Sequence, residues 1–126
     1  MTMPARRPLV RQKLMIHHER GVMNLYVDID TLDKQPREVF IAIEKTGADV
    51  RAYVDALARM ASKALQIGLP FEEVIDSWRH TKMSPFGPVS GCEGIHFCTS
   101  PLDAVAQYLD QYATASLPAS PQPLLP

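Results

Sequence analysis

Between Leu14 and Ile43 the apolar residues fall at every second position, and from Val50 onward they recur at every third or fourth. A two-residue period buries one face of a strand, and a 3.6-residue period buries one stripe of a helix. The switch therefore restricts the chain to a sheet followed by helices. In "GVMNLYVDID" the residues Met23, Leu25, Val27 and Ile29 alternate with Asn24, Tyr26 and Asp28, and "REVFIAIEK" repeats the pattern with Val39, Ile41 and Ile43. The turn residues "LDKQP" between them predict a hairpin. Residues 10 to 18, "VRQKLMIHH", alternate more weakly around Leu14 and Ile16 and predict a strand beside it.

Past Gly47 the residues Val50, Val54, Leu57, Ala61, Ala64 and Leu65 form one apolar stripe, with Arg51, Asp55, Arg59 and Lys63 opposite. Gly68 is the expected C′ residue of that long helix. Pro70 fits the first position of a second helix, whose first turn carries Glu72 and Glu73 and whose buried side is Val74, Ile75 and Trp78. A third helix is signalled by Ser100 as N-cap, Pro101 at the first position and Asp103 three residues after the cap. It is expected to bury Leu102, Val105, Ala106 and Leu109. The expected architecture is α+β: a small antiparallel sheet of about three N-terminal strands, covered on one face by two to three helices.

A chain of 126 residues buries one core of ordinary size. The single domain is expected over residues 9 to 113, between a flexible arm at 1 to 8, "MTMPARRP", and a disordered Pro-rich tail at 114 to 126, "TASLPASPQPLLP". A formal net charge of -1 argues against a nucleic-acid binder, which needs a basic excess. No apolar run approaches the roughly 18 to 20 residues that cross a bilayer, and "MTMPARRPLVRQK" lacks a secretory apolar segment. No membrane association and a cytoplasmic location are the expectations.

Both cysteines and two of four histidines fall in "RHTKMSPFGPVSGCEGIHFCTSPLD", residues 79 to 103. Thiolate and imidazole are the ligands zinc prefers, but structural zinc sites bring cysteines in close C-x-x-C pairs. Cys92 and Cys98 are separated by five residues. No metal site is expected, and the thiols read as half-buried loop residues. A nucleophilic pairing of Cys98 with His96 or His80 lacks the scaffold and the oriented base it would need.

Two stretches suit an anion. In "EKTGAD" a strand ends and a helix starts at Lys45, Thr46 and Gly47, where free backbone N–H groups, a hydroxyl and an ammonium suit a phosphate. In "WRHTK" the side chains of Arg79, His80 and Lys82 complement a helix C-terminus and also suit a phosphate or an acidic partner. The candidate nucleotide- or phosphate-binding set is thus Lys45, Thr46, Gly47, Arg79, His80 and Lys82. His17 and His18, at the end of the weak strand, read as surface residues.

Residues from about Arg7 to Tyr112 resemble the C-terminal domain of cobalamin-dependent ribonucleotide reductases. The resemblance rests on "REVFIAIEKTGADVRAYVDALARMASKALQIGLPFEEVID", then "HTKMSPFGPV" and "TSPLDAVAQYL", preceded by "RRPL" and "LMIHHERGVMNLYVDID". In those reductases the chemistry belongs to a large barrel with radical-bearing and reducing cysteines and a cobalamin site, upstream of this domain. The resemblance implies a non-catalytic copy with no cofactor in this chain. "TSPLD" is similar to a Thr-Ser-Cys-Pro-Asp motif in a shorter relative of the domain, with Pro101 at the cysteine position. Three uses follow: an accessory of deoxyribonucleotide metabolism that binds a nucleotide and serves a separate reductase chain; a stand-alone protein, such as a phage product, that sequesters a nucleotide or nucleotide-derived signal; or a structural module that forms homo-oligomers.

Overall fold

A computed structural model describes residues 9–32, 35–44 and 48–116. The arm at 1 to 8, most of the Pro-rich tail and the turn at Lys45, Thr46 and Gly47 lie outside the described residues. The elements follow in the order β1 (Leu9–His18), β2 (Gly21–Leu32), β3 (Gln35–Glu44), α1 (Ala48–Gln66), α2 (Phe71–Trp78), β4 (Gly87–Ser90), β5 (Phe97–Cys98) and α3 (Pro101–Ser116). The fold is α+β, as the periodicity predicts.

The sheet has five strands in the order β3-β2-β1-β4-β5, all antiparallel neighbours. It is larger than the expected three because "GPVS" and "FC" pair inside the stretch between α2 and α3, which the sequence presents as a connector. β4 joins β1 through Met15↔Ser90 and Ile16↔Val89. Register places Leu14 opposite Leu25, Leu25 opposite Ile43 and Val27 opposite Ile41, so one face collects the apolar side chains. Leu14, Ile16, Leu25, Val27, Ile29 and Val39 are wholly buried there. Each such burial stabilises by about 1.5–3 kcal/mol. The other face is wet, and on it Arg11 meets Asp28 through two hydrogen bonds of 2.7 and 2.8 Å.

α1 packs along β3, and α2 packs against α3. The buried stripe of α1 is Val54, Ala58, Ala61, Ser62 and Leu65, whereas Leu57, expected in the stripe, stands 39% exposed. The helix is turned so that Ala58, Ala61 and Ser62 lie in the buried stripe in place of Leu57. α1 ends in a Schellman arrangement, in which Leu69 N–H donates to the Ala64 carbonyl (2.9 Å) and Gly68 N–H to that of Leu65 (3.1 Å). Pro70 then serves as N-cap of α2, one residue before its expected place.

Ser62 has a second task. Its hydroxyl accepts from the Val39 N–H (2.9 Å) and donates to the Val39 carbonyl (3.1 Å), while Gln66 Nε2 donates to the Arg37 carbonyl (3.3 Å). β3 is an edge strand, and α1 thus supplies side-chain partners to main-chain groups that no sixth strand meets. Ser62→Ala should orphan both Val39 groups and cost about 1–3 kcal/mol. Urea titration is expected to show a lower midpoint at unchanged slope, with faster amide exchange at Val39.

Candidate functional site

The segment leaving α2 is held by the start of α3. Arg79 is the C-cap of α2, and His80 turns the chain with a φ of 68°. The His80 N–H donates to Asp103 Oδ1 (2.7 Å), the Thr99 N–H to Asp103 Oδ2 (3.1 Å) and Gln107 Nε2 to the same oxygen (3.0 Å). Arg79 Nε lies 3.5 Å from Oδ1 as an ion pair. Ser100 caps α3 as expected, its Oγ accepting from the Asp103 N–H at 2.9 Å. The carboxylate departs from a reciprocal capping box: it reaches the N–H of Thr99, one residue before the cap, and crosses to His80. Thr81 Oγ1 donates to the Trp78 carbonyl (3.0 Å), so its 2.6 Å contact with Ser100 Oγ is donated by Ser100. Thr99 Oγ1 donates to the Thr81 carbonyl (2.6 Å), and Met83 N–H to that of Thr99 (3.1 Å).

Burial would raise the Asp103 carboxyl, but the N–H groups of His80 and Thr99, with Gln107 and Arg79, hold it below its ordinary value. Thr99, Ser100 and Asp103 therefore form a clamp between α2 and α3. It employs two of the six residues proposed for an anion: Arg79 through its ion pair and His80 through its main chain.

Lys82 is different. It is exposed and lines an open slot of about 360 Å³ with Met83, Ser84, Phe86, Phe97 and Thr99. Ser84 and Phe86 also line a larger cavity of about 910 Å³. Its other walls are His18 at the end of β1, Glu19 and Arg20 in the β1–β2 turn, Val22, Met23 and Asn24 on β2, Val50 in the first turns of α1, and Pro85. Lys45, Thr46 and Gly47 lie outside the described residues, but the residues beside them are placed. Val50 lines the cavity, and Glu44 Oε1 accepts from Asn24 Nδ2 (3.1 Å) and from the Tyr26 hydroxyl (3.3 Å).

The structure thus leaves Lys82 at the smaller slot, which shares Ser84 and Phe86 with the larger cavity, and keeps Arg79 for the fold. Sequence reasoning missed His18, Arg20, Phe86 and Phe97. The charged turn "HHERG" and the exposed ring in "SPFGP" carry a signal only once β1, β2 and β4 are known to converge. The cysteines stand apart from this opening's lining. Cys98 is buried, Cys92 donates to Gln111 Oε1 (3.2 Å), and burial pushes both thiols up. Among the described residues no group of three or more His, Cys, Asp or Glu is placed to hold a metal ion. No helix among them is long and apolar enough to cross a membrane.

Comparison with known proteins adds the lineage. A vitamin B12-dependent ribonucleotide reductase of Bradyrhizobium diazoefficiens is 34% identical over 108 residues, which cover 85% of this chain and 8% of that protein. The protein of the same name from Agrobacterium fabrum is 40% identical over 72 residues, 57% of this chain and 6% of its own length. That from Rhodopirellula baltica is 31% identical over 77 residues, 61% of this chain and 7% of its own. The chain spans less than a tenth of these relatives. No solved structure matches. The sequence profile of the TSCPD domain matches residues 2–113. Thr99, Ser100 and Asp103 stand at the first, second and fifth places of the motif, with Pro101 and Leu102 between them. The chain belongs to the TSCPD domain family, in the branch found as a small region of vitamin B12-dependent ribonucleotide reductases.

Proposed function

We propose that the chain is a non-catalytic module of deoxyribonucleotide metabolism that binds a nucleotide by its phosphates and serves a separate ribonucleotide reductase chain. The observation that carries this reading is the larger cavity of about 910 Å³, lined by His18, Arg20 and Val50 near the start of α1, with Lys82 at the adjoining slot that shares Ser84 and Phe86. Helix N-termini favour anions, and a guanidinium binds phosphate oxygens with paired donors. Glu19 is the one carboxylate among the lining residues and sits between His18 and Arg20 in the turn. The relatives' reductase name supports a ligand from the nucleotide pool and a reductase as partner.

A thermal-shift panel of ribonucleotides, deoxyribonucleotides and cyclic nucleotides tests the reading. A ligand at 100 times its dissociation constant stabilises the native state by about 2.7 kcal/mol. Arg20→Ala and Lys82→Ala are expected to weaken binding about tenfold each, the scale of one charge-assisted hydrogen bond. Arg79→Ala should instead lower stability and leave affinity unchanged. An all-negative panel at millimolar concentrations would overturn nucleotide binding. Saturable binding with no reductase chain co-purifying would turn the reading from accessory to sequestration.

A further inference from the structure

We propose that the smaller slot is a docking surface for the proline-rich segment of this same chain, residues 117–126, which folds back over Met83, Phe86 and Phe97. The inference goes beyond the phosphate reading and does not depend on it. Phe86 is 58% exposed, Phe97 54% and Met83 43%, so three large apolar side chains stand in water around one opening of about 360 Å³. Main-chain acceptors there are already engaged within the fold. The Thr81 carbonyl takes the Thr99 hydroxyl (2.6 Å), the Thr99 carbonyl takes the Met83 N–H (3.1 Å) and the Phe97 carbonyl takes the Gln107 amide (2.8 Å). An occupant must therefore bring apolar surface and ask for few hydrogen bonds.

The sequence "LPASPQPLLP" meets both conditions. Pro118, Pro121, Pro123 and Pro126 have no N–H to satisfy, and Leu117, Leu124 and Leu125 supply apolar side chains. Prolines three apart, Pro118 with Pro121 and Pro123 with Pro126, share one face of a polyproline II helix, and aromatic-lined grooves take such segments at low ordering cost. Reach selects this chain's own copy. Thr99 lines the slot two residues before α3 begins at Pro101, and the 16 residues of α3 carry the chain about 24 Å to Ser116. Ten residues of polyproline II beyond Ser116 span about 31 Å, so a segment turning back along α3 brings Leu124 and Leu125 to the slot. A tethered segment acts at a millimolar effective concentration, so weak contacts suffice to seat it.

The test is made on the full chain by NMR, with leucine and phenylalanine labelled. Cross-peaks are expected between the Leu124 and Leu125 methyl groups and the ring protons of Phe86 and Phe97, with the methyl signals moved upfield by the rings. The double variant Leu124→Ser, Leu125→Ser should lose those cross-peaks and leave the amide pattern of β1 to β3 unchanged. It should also bind a synthetic peptide of residues 117–126 about tenfold more tightly than wild type, because the tethered copy no longer competes. Phe97→Ser should lose the cross-peaks and the peptide binding together. Leucine methyls at random-coil positions in wild type, with no cross-peak to either ring, would overturn the proposal. Equal peptide affinity in wild type and the double variant, or none in either, would do the same. Cross-peaks found only between a leucine-labelled chain and a phenylalanine-labelled chain in a mixed sample would overturn the fold-back and give the slot to the tail of a second copy. None of these outcomes depends on the nucleotide panel.

Discussion

Asp103→Ala should lower the melting temperature by roughly 9–15 °C at neutral pH. The carboxylate is 3% exposed and accepts from two main-chain N–H groups and one amide, with the Arg79 guanidinium beside it. Deleting it strands those donors together, and hydrogen bonds to charged groups contribute about 1.5–3 kcal/mol each. A net loss of about 3 kcal/mol converts at roughly 3–5 °C per kcal/mol for a domain somewhat above 100 residues. The sign of the pH dependence follows from the lowered carboxyl. In the unfolded chain Asp103 takes up its proton near pH 4, and in the native protein it does so at lower pH. Its contribution is fully present above that ordinary range and is lost as pH falls through the native value. Asp103→Asn keeps the volume but places an amide donor against N–H groups, so it should be less stable than wild type at pH 7 and approach it on acidification. Thermal melts from pH 7 to pH 3 measure both effects. A constant gap between wild type and Asp103→Asn would show that the charge is not what holds the clamp.

Gly87→Ala should cost about 2–4 kcal/mol, the scale of a strained backbone position plus a steric collision. Gly87 has a φ of 148°, where side chains are disfavoured, and a Cβ there would overlap the His17 carbonyl oxygen of β1. That oxygen belongs to a strand paired on both sides, so it has little freedom to yield. Gly21→Ala is the control. Its φ of 129° carries similar strain, but no heavy atom lies within 4 Å of the added carbon. Its cost should stay near 1 kcal/mol. Denaturant titration of the pair separates strain from collision.

The parts of the fold that periodicity can carry were legible. Met23 to Ile29 and Val39 to Ile43 alternate because one face is dry, and the Ser100 cap announces α3 because few residues can accept its first N–H groups. β4 and β5 were not legible. Four residues and two residues cannot establish a period, and Met15↔Ser90 joins positions far apart in sequence. Leu57 was misplaced for a related reason: hydropathy ranks leucine inside, whereas Ser62, which nothing in the periodicity marks, is buried by its hydrogen bonds to Val39. At the site, Arg79 and Lys82 looked alike on paper. Only the position of Asp103, reached from another helix, assigns one cation to the fold and leaves the other at the slot. Exposure of Phe86 and Phe97 leaves no mark in a sequence, since an apolar residue is expected inside wherever it occurs.

The Ser62 hydroxyl bears on how the protein behaves when concentrated. Fibrils and edge-to-edge aggregates grow from an unbroken row of unpaired main-chain donors and acceptors. At Val39 an incoming strand would find that position taken, and at Arg37 it would find the Gln66 amide. From Ile41 to Ile43 the row continues beside Arg51 and Asp55, whose charges discourage a dry apolar seam. One helix thus acts as a gatekeeper for the β3 edge of the sheet.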